Sequence, residues 1–165
     1  MKKILFSALV ALTVTAPAYA ATGNTSTAAG AAAANVITPI VLTHVSGATL
    51  NFGSFTTGTG GSVSVDASGA GVTGGDVSFV PGTSEAADQF TVLGDKSRSF
   101  SISTTGGTVA NGATTIAFST VPSAAAGTTS ATGTAGFSVG GTLTVIGTEA
   151  AGAYTGTYNA TVTYN

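Results

Sequence analysis

Large apolar residues alternate with small polar ones in short runs along most of this chain. Val63 and Val65 alternate with serines, and Phe100 and Ile102 do the same. The runs are rich in β-branched and aromatic residues and are bounded by Gly, Ser, Pro or Asp, which is the pattern of strands separated by turns. The chain beyond Ala34 is therefore predicted to be all-β, with about eight or nine strands and no helix.

Regularly spaced short strands are typical of a β-sandwich or a barrel. The stretches 66–75, 104–113 and 122–135 are rich in Gly, Ala, Ser and Thr, so they are predicted to be surface loops of one domain over residues 35–165. The predicted core consists of one face of the C-terminal strand together with apolar residues that point to one side of their strands: Phe52, Val65, Phe79, Phe90, Phe100, Ile102, Phe118, Val139, Leu143 and Val162.

Two segments carry a further structural prediction. Residues 36–45 form an apolar strand that contains Pro39, which cannot donate to a sheet ladder, so this strand is expected at an edge or with a bend. Gly140 and Gly141 interrupt another apolar run. A three-residue loop there would keep one apolar face, and so would a continuous strand with Gly141 facing inward. We favour the continuous strand or a bulged version of it.

The first twenty residues have the order of a bacterial secretory signal peptide. Lys2 and Lys3 precede an apolar stretch over residues 4–14, and Ala18 and Ala20 form an A-x-A cleavage site. That stretch is too short to span a bilayer, and no second apolar run of membrane length follows. Residues 1–20 are thus predicted to be a signal peptide, and the Ala/Thr-rich residues 21–34 a flexible N-terminal arm.

Charge and cysteine content exclude several functions. Only 6% of the residues are charged, and the predicted mature chain keeps Lys96 and Arg98 against six acidic residues. No basic surface remains for a phosphate backbone, so nucleic acid is not an expected partner. The chain has no cysteine, so it can form neither a disulfide nor a thiolate metal site.

Few residues are candidates for catalysis or metal binding. His44 is the single histidine, and no carboxylate lies near it in sequence to orient it, so it is interpreted as an ordinary strand residue. Glu85, Asp88 and Asp95 lie around one loop and could gather on calcium, but they lack EF-hand spacing and are interpreted as solvated loop residues. We therefore expect no enzyme activity, no catalytic or metal-binding residue and no cofactor.

The C-terminal fourteen residues read as one amphipathic strand that ends with the chain. Tyr154, Tyr158, Val162 and Tyr164 share its apolar face, and threonines occupy the other. Gly152 stands fourteenth from the end and Tyr164 is penultimate, and this arrangement resembles the last strand of chaperone–usher pilins.

Five motifs extend the resemblance over residues 35–165. They are I-x-P-I at residues 37–40, L-N-F-G at 50–53, V-G-G-T-L-x-V at 139–145, G-x-Y-x-G-x-Y at 152–158, and a final Tyr-Asn. Together they are similar to a secreted bacterial family called domain of unknown function 4402 (DUF4402) and, more distantly, to archaic-type chaperone–usher and spore-coat-U-like pilins.

The resemblance implies an immunoglobulin-like sandwich that is incomplete or paired at its edges, in a fimbria or surface coat. It also implies export through the periplasm to the cell surface or beyond, and assembly with further copies or related pilin-like subunits, with a periplasmic chaperone and an usher. The residues implied in strand pairing are Val36, Ile37, Ile40, Leu42, Gly152, Tyr154, Tyr158, Val162 and Tyr164.

Two functional hypotheses follow from the sequence. The leading one is a non-enzymatic structural subunit that assembles by β-strand pairing. The alternative is a self-contained, monomeric secreted sandwich that binds a ligand or a component of the cell surface. The two differ in whether residues 21–45 pair within their own sandwich or within a neighbour's.

Overall fold

A computed structural model describes residues 23–25 and 27–165 of the chain. The chain divides into two units, Met1–Asn35 and Val36–Asn165. The described residues of the first unit are exposed and contain neither helix nor strand. The predicted signal peptide lies outside the described residues. Residues 23–25 and 27–165 contain no helix that is long and apolar enough to cross a membrane.

The second unit is all-β, as the alternation of residues predicts, and contains thirteen strands. These are β1 (Val41–His44), β2 (Phe55–Thr56), β3 (Gly61–Val65), β4 (Gly71–Gly75), β5 (Ser78–Phe79), β6 (Asp88–Leu93), β7 (Ser99–Thr104), β8 (Gly107–Asn111), β9 (Thr114–Pro122), β10 (Ala126–Thr128), β11 (Thr134–Val145), β12 (Thr155–Gly156) and β13 (Ala160–Tyr164).

All strand pairs are antiparallel, and they form a sandwich of one large sheet and two small ones. Eight strands form the large sheet, in the order β1-β6-β11-β9-β8-β12, with β3 and β4 joined to it at β11. The long strand β11 pairs with β6 through its first half and with β3 through its second half, while β9 lies along its other edge. The small sheets, β10-β7-β13 and β2-β5, supply the facing layer.

The core lies between these layers in two clusters. One contains Phe52 and Phe118, and the other contains Phe100 and Val139. Seven predicted core residues are buried, and the other three are half-buried and pack against a cluster: Phe79, Phe90 and Val162. The core also contains buried residues that the predicted set omits: Val63, Val77, Val92, Ile116, Phe137 and Val145.

The three stretches predicted to be loops each contain a strand, so that prediction is wrong. Residues 66–75 include β4, residues 104–113 include β8, and residues 122–135 include β10. Their Gly, Ala and Thr residues have little apolar surface to bury. They become strands because a neighbouring strand offers a free edge of backbone donors and acceptors, which no local side-chain pattern reports. These extra strands also raise the number above the predicted eight or nine.

The prediction of a continuous strand through Gly140 and Gly141 is confirmed. Strand β11 runs unbroken from Thr134 to Val145. A Cβ atom on Gly141 would lie 3.0 Å from Leu50 Cδ2 and 3.4 Å from Phe52 Cζ, so this glycine faces the core. Its lack of a side chain leaves the space that the two apolar side chains occupy.

The C-terminal segment is two short strands rather than one. Strand β12 pairs with β8 in the large sheet, whereas β13 pairs with β7 in a small sheet. The chain changes sheet beside the β7–β8 corner, where the Thr105 N–H donates to the Asn159 carbonyl at 2.9 Å. The predicted apolar and polar faces are confirmed on both sides of this break. The residues of the apolar face, Tyr154, Tyr158, Val162 and Tyr164, are half-buried, and the threonines between them are exposed.

Candidate functional site

Antiparallel pairing of β1 with β6 brings His44 next to Asp88, although 44 residues separate them. His44 ends β1 opposite Phe90, and Asp88 stands two residues before Phe90, so the two side chains are diagonal neighbours on one sheet face. The Nε2 atom of His44 lies 2.6 Å from Asp88 Oδ1, within hydrogen-bond distance. The Tyr158 hydroxyl donates to the other carboxylate oxygen, Oδ2, at 2.8 Å.

Asp88 is a buried carboxylate whose charge is supported by hydrogen-bond donors. The residue is 5% exposed, and the backbone N–H of Gln89 donates to Oδ1 at 2.8 Å. Burial and the neighbouring Asp88 charge raise the pKa of Tyr158 above its ordinary value, so its hydroxyl keeps its proton and remains a donor. Because the carboxylate accepts, the proton of neutral His44 is on Nε2, and Nδ1 is left as an acceptor.

Aromatic rings hold this polar group in place. The ring centroid of Phe90 lies 5.2 Å from that of His44 and 6.3 Å from that of Tyr158, both with edge-to-face geometry. Phe118 contacts the other side of Tyr158 at 6.2 Å. The three hydrogen-bonding side chains therefore have packed positions at the border of the core.

His44, Asp88 and Tyr158 line an open cleft of about 1040 Å³. The cleft lies between the segments 48–57 and 149–158, and its apolar surface includes core residues such as Phe52, Phe118 and Leu143. It is therefore an opening into the hydrophobic core with a polar group in its wall.

Carboxylates are the charged side chains of the cleft. Its lining contains Asp88 and Glu149 but neither Lys96 nor Arg98. Burial raises the pKa of Glu149, but backbone N–H groups outweigh this and lower it overall, with Ile146 and Gly147 donating at 2.6 and 2.9 Å. Acidic side chains without a neighbouring Lys or Arg give the lining a negative character, so the cleft attracts positive rather than negative charge.

The structure corrects two interpretations from the sequence. His44 has an orienting carboxylate, which is distant in sequence but adjacent across β1 and β6. Asp88 is buried, so it is not a solvated loop residue. Within the described parts of the chain, no three His, Asp or Glu side chains are grouped as metal ligands, and Glu85 and Asp95 do not join Asp88. Only the pairing of the two strands could have revealed the His44–Asp88 pair.

The residues implied in strand pairing fall into two groups. Leu42 lies in β1, which pairs with β6 of its own chain, so this part of residues 21–45 pairs within its own sandwich. Ile40 packs against the core cluster that contains Phe100 and Val139. Ile37 is half-buried, whereas Val36 is 94% exposed.

The C-terminal candidates lie along the cleft and β13. The Tyr154 hydroxyl donates to the Ala150 carbonyl at 2.7 Å, and Tyr158 bonds Asp88. Val162 and Tyr164 belong to β13 and pack against the second core cluster. Gly152 precedes them with a φ of +152°, a conformation that residues with a Cβ rarely adopt, so this position favours glycine.

The fold and cleft define an all-β antiparallel sandwich with an apolar opening and a buried carboxylate, Asp88, that contacts the half-exposed His44. The chain belongs to the family described as domain of unknown function (DUF4402), whose model matches residues 42–164. No curated protein and no solved structure matches the chain significantly.

Proposed function

We propose that this protein is a non-enzymatic structural subunit of a bacterial surface fibre or coat, pilin-like, which assembles by β-strand pairing. The observation that carries the proposal is the position of β13 at the end of the sheet β10-β7-β13. One side of β13 pairs with β7, and the other side is a sheet edge. Edges of this kind are the templates on which another chain adds a strand.

The backbone directions on β13 follow from its register. The Asn165 N–H donates to the Ser99 carbonyl, so the odd-numbered residues of this segment bond toward β7. The N–H groups of Ala160, Val162 and Tyr164 therefore point to the open side, since hydrogen-bonded and non-hydrogen-bonded positions alternate in an antiparallel pair. An incoming strand would meet a regular row of donors and acceptors.

The apolar side chains of β13 are also incompletely covered. Phe100 and Ile102 on the neighbouring strand β7 are buried, whereas Val162 and Tyr164, which face the same core cluster, are half-buried. Strand β13 has no charged residue and no proline, which are the usual protections of an edge. A strand added beside β13 would cover this apolar surface.

Export, the type of sandwich and the assembly partners are further parts of the proposal. The chain is exported through the periplasm by its signal peptide, adopts an immunoglobulin-like arrangement, and pairs with further copies or related pilin-like subunits, assisted by a periplasmic chaperone and an usher.

The test introduces a charge at the open edge. Thr163 on β13 and Ser103 on the central strand β7 are both exposed, so Thr163→Lys and Ser103→Lys add the same charge to one sheet face. We expect Thr163→Lys to abolish multimers of the mature protein, measured by size-exclusion chromatography with light scattering, and Ser103→Lys to leave them. Multimers of equal amount in the wild type and both variants would contradict pairing at this edge.

The alternative function is a self-contained monomer that binds a ligand or a cell-surface component. The cleft favours it, because apolar pockets with a few converging polar groups are the usual form of ligand sites. A wild-type protein that remains monomeric at high concentration, with β13 unpaired, would support this function over the fibre subunit.

A further inference from the structure

The size and lining of the cleft restrict the kind of ligand that it can bind, and this restriction is independent of the proposed assembly into a fibre. Its volume of about 1040 Å³ is at the upper end of the range for sites of small molecules. Its half-buried apolar lining residues, among them Leu50, Phe55 and Val109, favour a largely hydrocarbon or aromatic occupant. A ligand that covered this surface would remove it from water.

The polar group in the wall restricts the ligand further. The side chain of His44 is 48% exposed, so a ligand can reach it, while that of Asp88 is 7% exposed and is held by its own donors. In the neutral form of the ring, the contact between Nε2 and the Asp88 carboxylate at 2.6 Å places the proton on Nε2, so the other ring nitrogen, Nδ1, accepts a hydrogen bond. The ligand must therefore supply a donor.

The charges of the cleft decide between kinds of donor. Asp88 and Glu149 make the lining negative, and no lysine or arginine among the described residues lines it. A cationic donor gains from this field, whereas a carboxylate, sulfate or phosphate would face repulsion with no cation to pair with. We propose that this cleft binds an apolar molecule bearing a primary ammonium group, which donates to Nδ1 of His44.

A displacement series tests the charge and the donor separately. The full mature chain is loaded, at about pH 8, with N-phenyl-1-naphthylamine, a neutral apolar dye that fluoresces in apolar sites. Decylamine, decyltrimethylammonium and decanoate share one alkyl chain and are added below their micelle concentrations, with circular dichroism to check that the fold is intact. The quaternary ion has the charge of the amine without its N–H donors.

We expect decylamine to displace the dye at a concentration about tenfold below that of decanoate, since a charge-assisted hydrogen bond contributes about that factor. Decyltrimethylammonium should fall between them. Failure of the dye to bind, or equal displacement by decanoate and decylamine, would overturn the proposal. A dye signal that falls as protein concentration and multimers rise would also overturn it, because a second copy would then fill the cleft.

Two variants on one strand locate the donor contact. His44→Ala removes the acceptor, and Thr43→Ala alters an adjacent residue whose side chain points to the opposite face of β1. We expect His44→Ala to erase the preference for decylamine over decyltrimethylammonium and Thr43→Ala to retain it. A preference that survives His44→Ala would overturn the assignment to His44. Multimer formation, measured separately, tests the proposed function and not this site.

Discussion

The hydroxyl of Tyr164 donates a hydrogen bond of 2.9 Å to the carbonyl of Thr38, so the penultimate residue holds the segment that precedes β1. The same hydroxyl accepts a bond of 2.5 Å from the Asp95 N–H, and the guanidinium carbon of Arg98 lies 5.3 Å from the centre of the ring. One side chain thus joins β13, the loop after β6 and the beginning of the second unit.

Replacing this side chain should destabilise the fold. Tyr164→Ser removes a half-buried ring and both hydrogen bonds, and we expect the free energy of unfolding to fall by about 2–3 kcal/mol. Urea denaturation measures the change. The matched control is Thr163→Ser, which shortens an exposed side chain and should change the free energy of unfolding by less than about 0.5 kcal/mol. Equal denaturation midpoints for the two variants would contradict the role of Tyr164.

Phe100 is the largest fully buried side chain of the core, at 1% exposure. Phe100→Ala should lower the free energy of unfolding by about 3–5 kcal/mol, because it leaves a cavity that the surrounding strands cannot close. Val36→Ala is the control, since Val36 is 94% exposed and its truncation should be nearly neutral. Chemical denaturation of both variants checks this, and a loss below about 1 kcal/mol for Phe100→Ala would place that side chain outside a rigid core.

Gly152 should resist substitution for a backbone reason. Its φ of +152° is strained for any residue with a Cβ, and that atom would meet the Asn111 side chain. We expect Gly152→Ala to cost about 1–3 kcal/mol in thermal or urea denaturation. Gly30→Ala is the control, because nothing lies within 4 Å of the Cβ position at Gly30 and its φ is not positive. Similar stability of the two variants would show that the backbone at residue 152 relaxes freely.

Glu149 should contribute to the decrease in the free energy of unfolding at acidic pH. Folding lowers its pKa, because backbone N–H groups bond the ionised carboxylate. A lowered pKa in the folded state means that this stabilisation is present above the unfolded pKa and is lost as pH falls through the folded value. Urea denaturation is measured at a series of pH values from neutral to acidic. The free energy of unfolding of the wild type should exceed that of Glu149→Gln at neutral pH, and this difference should shrink as Glu149 protonates. A difference that stays constant over that range would contradict the prediction.

The order of charged, apolar and A-x-A residues at the beginning of the chain predicts cleavage after Ala20. Mass spectrometry of the exported protein should then find an N-terminus at Ala21. Ala20→Lys should block cleavage, whereas Ala21→Ser, on the other side of the cut, should permit it. An exported protein that retains Met1 would contradict the prediction.

The sequence alone was sufficient to predict those strands and core residues that depend on the local alternation of apolar and polar side chains. Alternation places every second side chain on the same face of a strand, so residues such as Phe52, Phe100 and Leu143 could be assigned to the core from their spacing. The pattern at Gly140 and Gly141 favoured the central strand β11 for the same reason, since a continuous path keeps one apolar face and a two-residue turn does not.

Tertiary structure decided whatever depends on which strands meet. The strands β4, β8 and β10 form on the edges of neighbours, and the C-terminal segment divides because β7 and β8 belong to different sheets. His44 and Asp88 pair only because β1 and β6 are adjacent, and the cleft exists only because two distant segments leave the core open between them. Backbone hydrogen bonds and buried charges are satisfied by partners in space, and local residue order does not specify those partners.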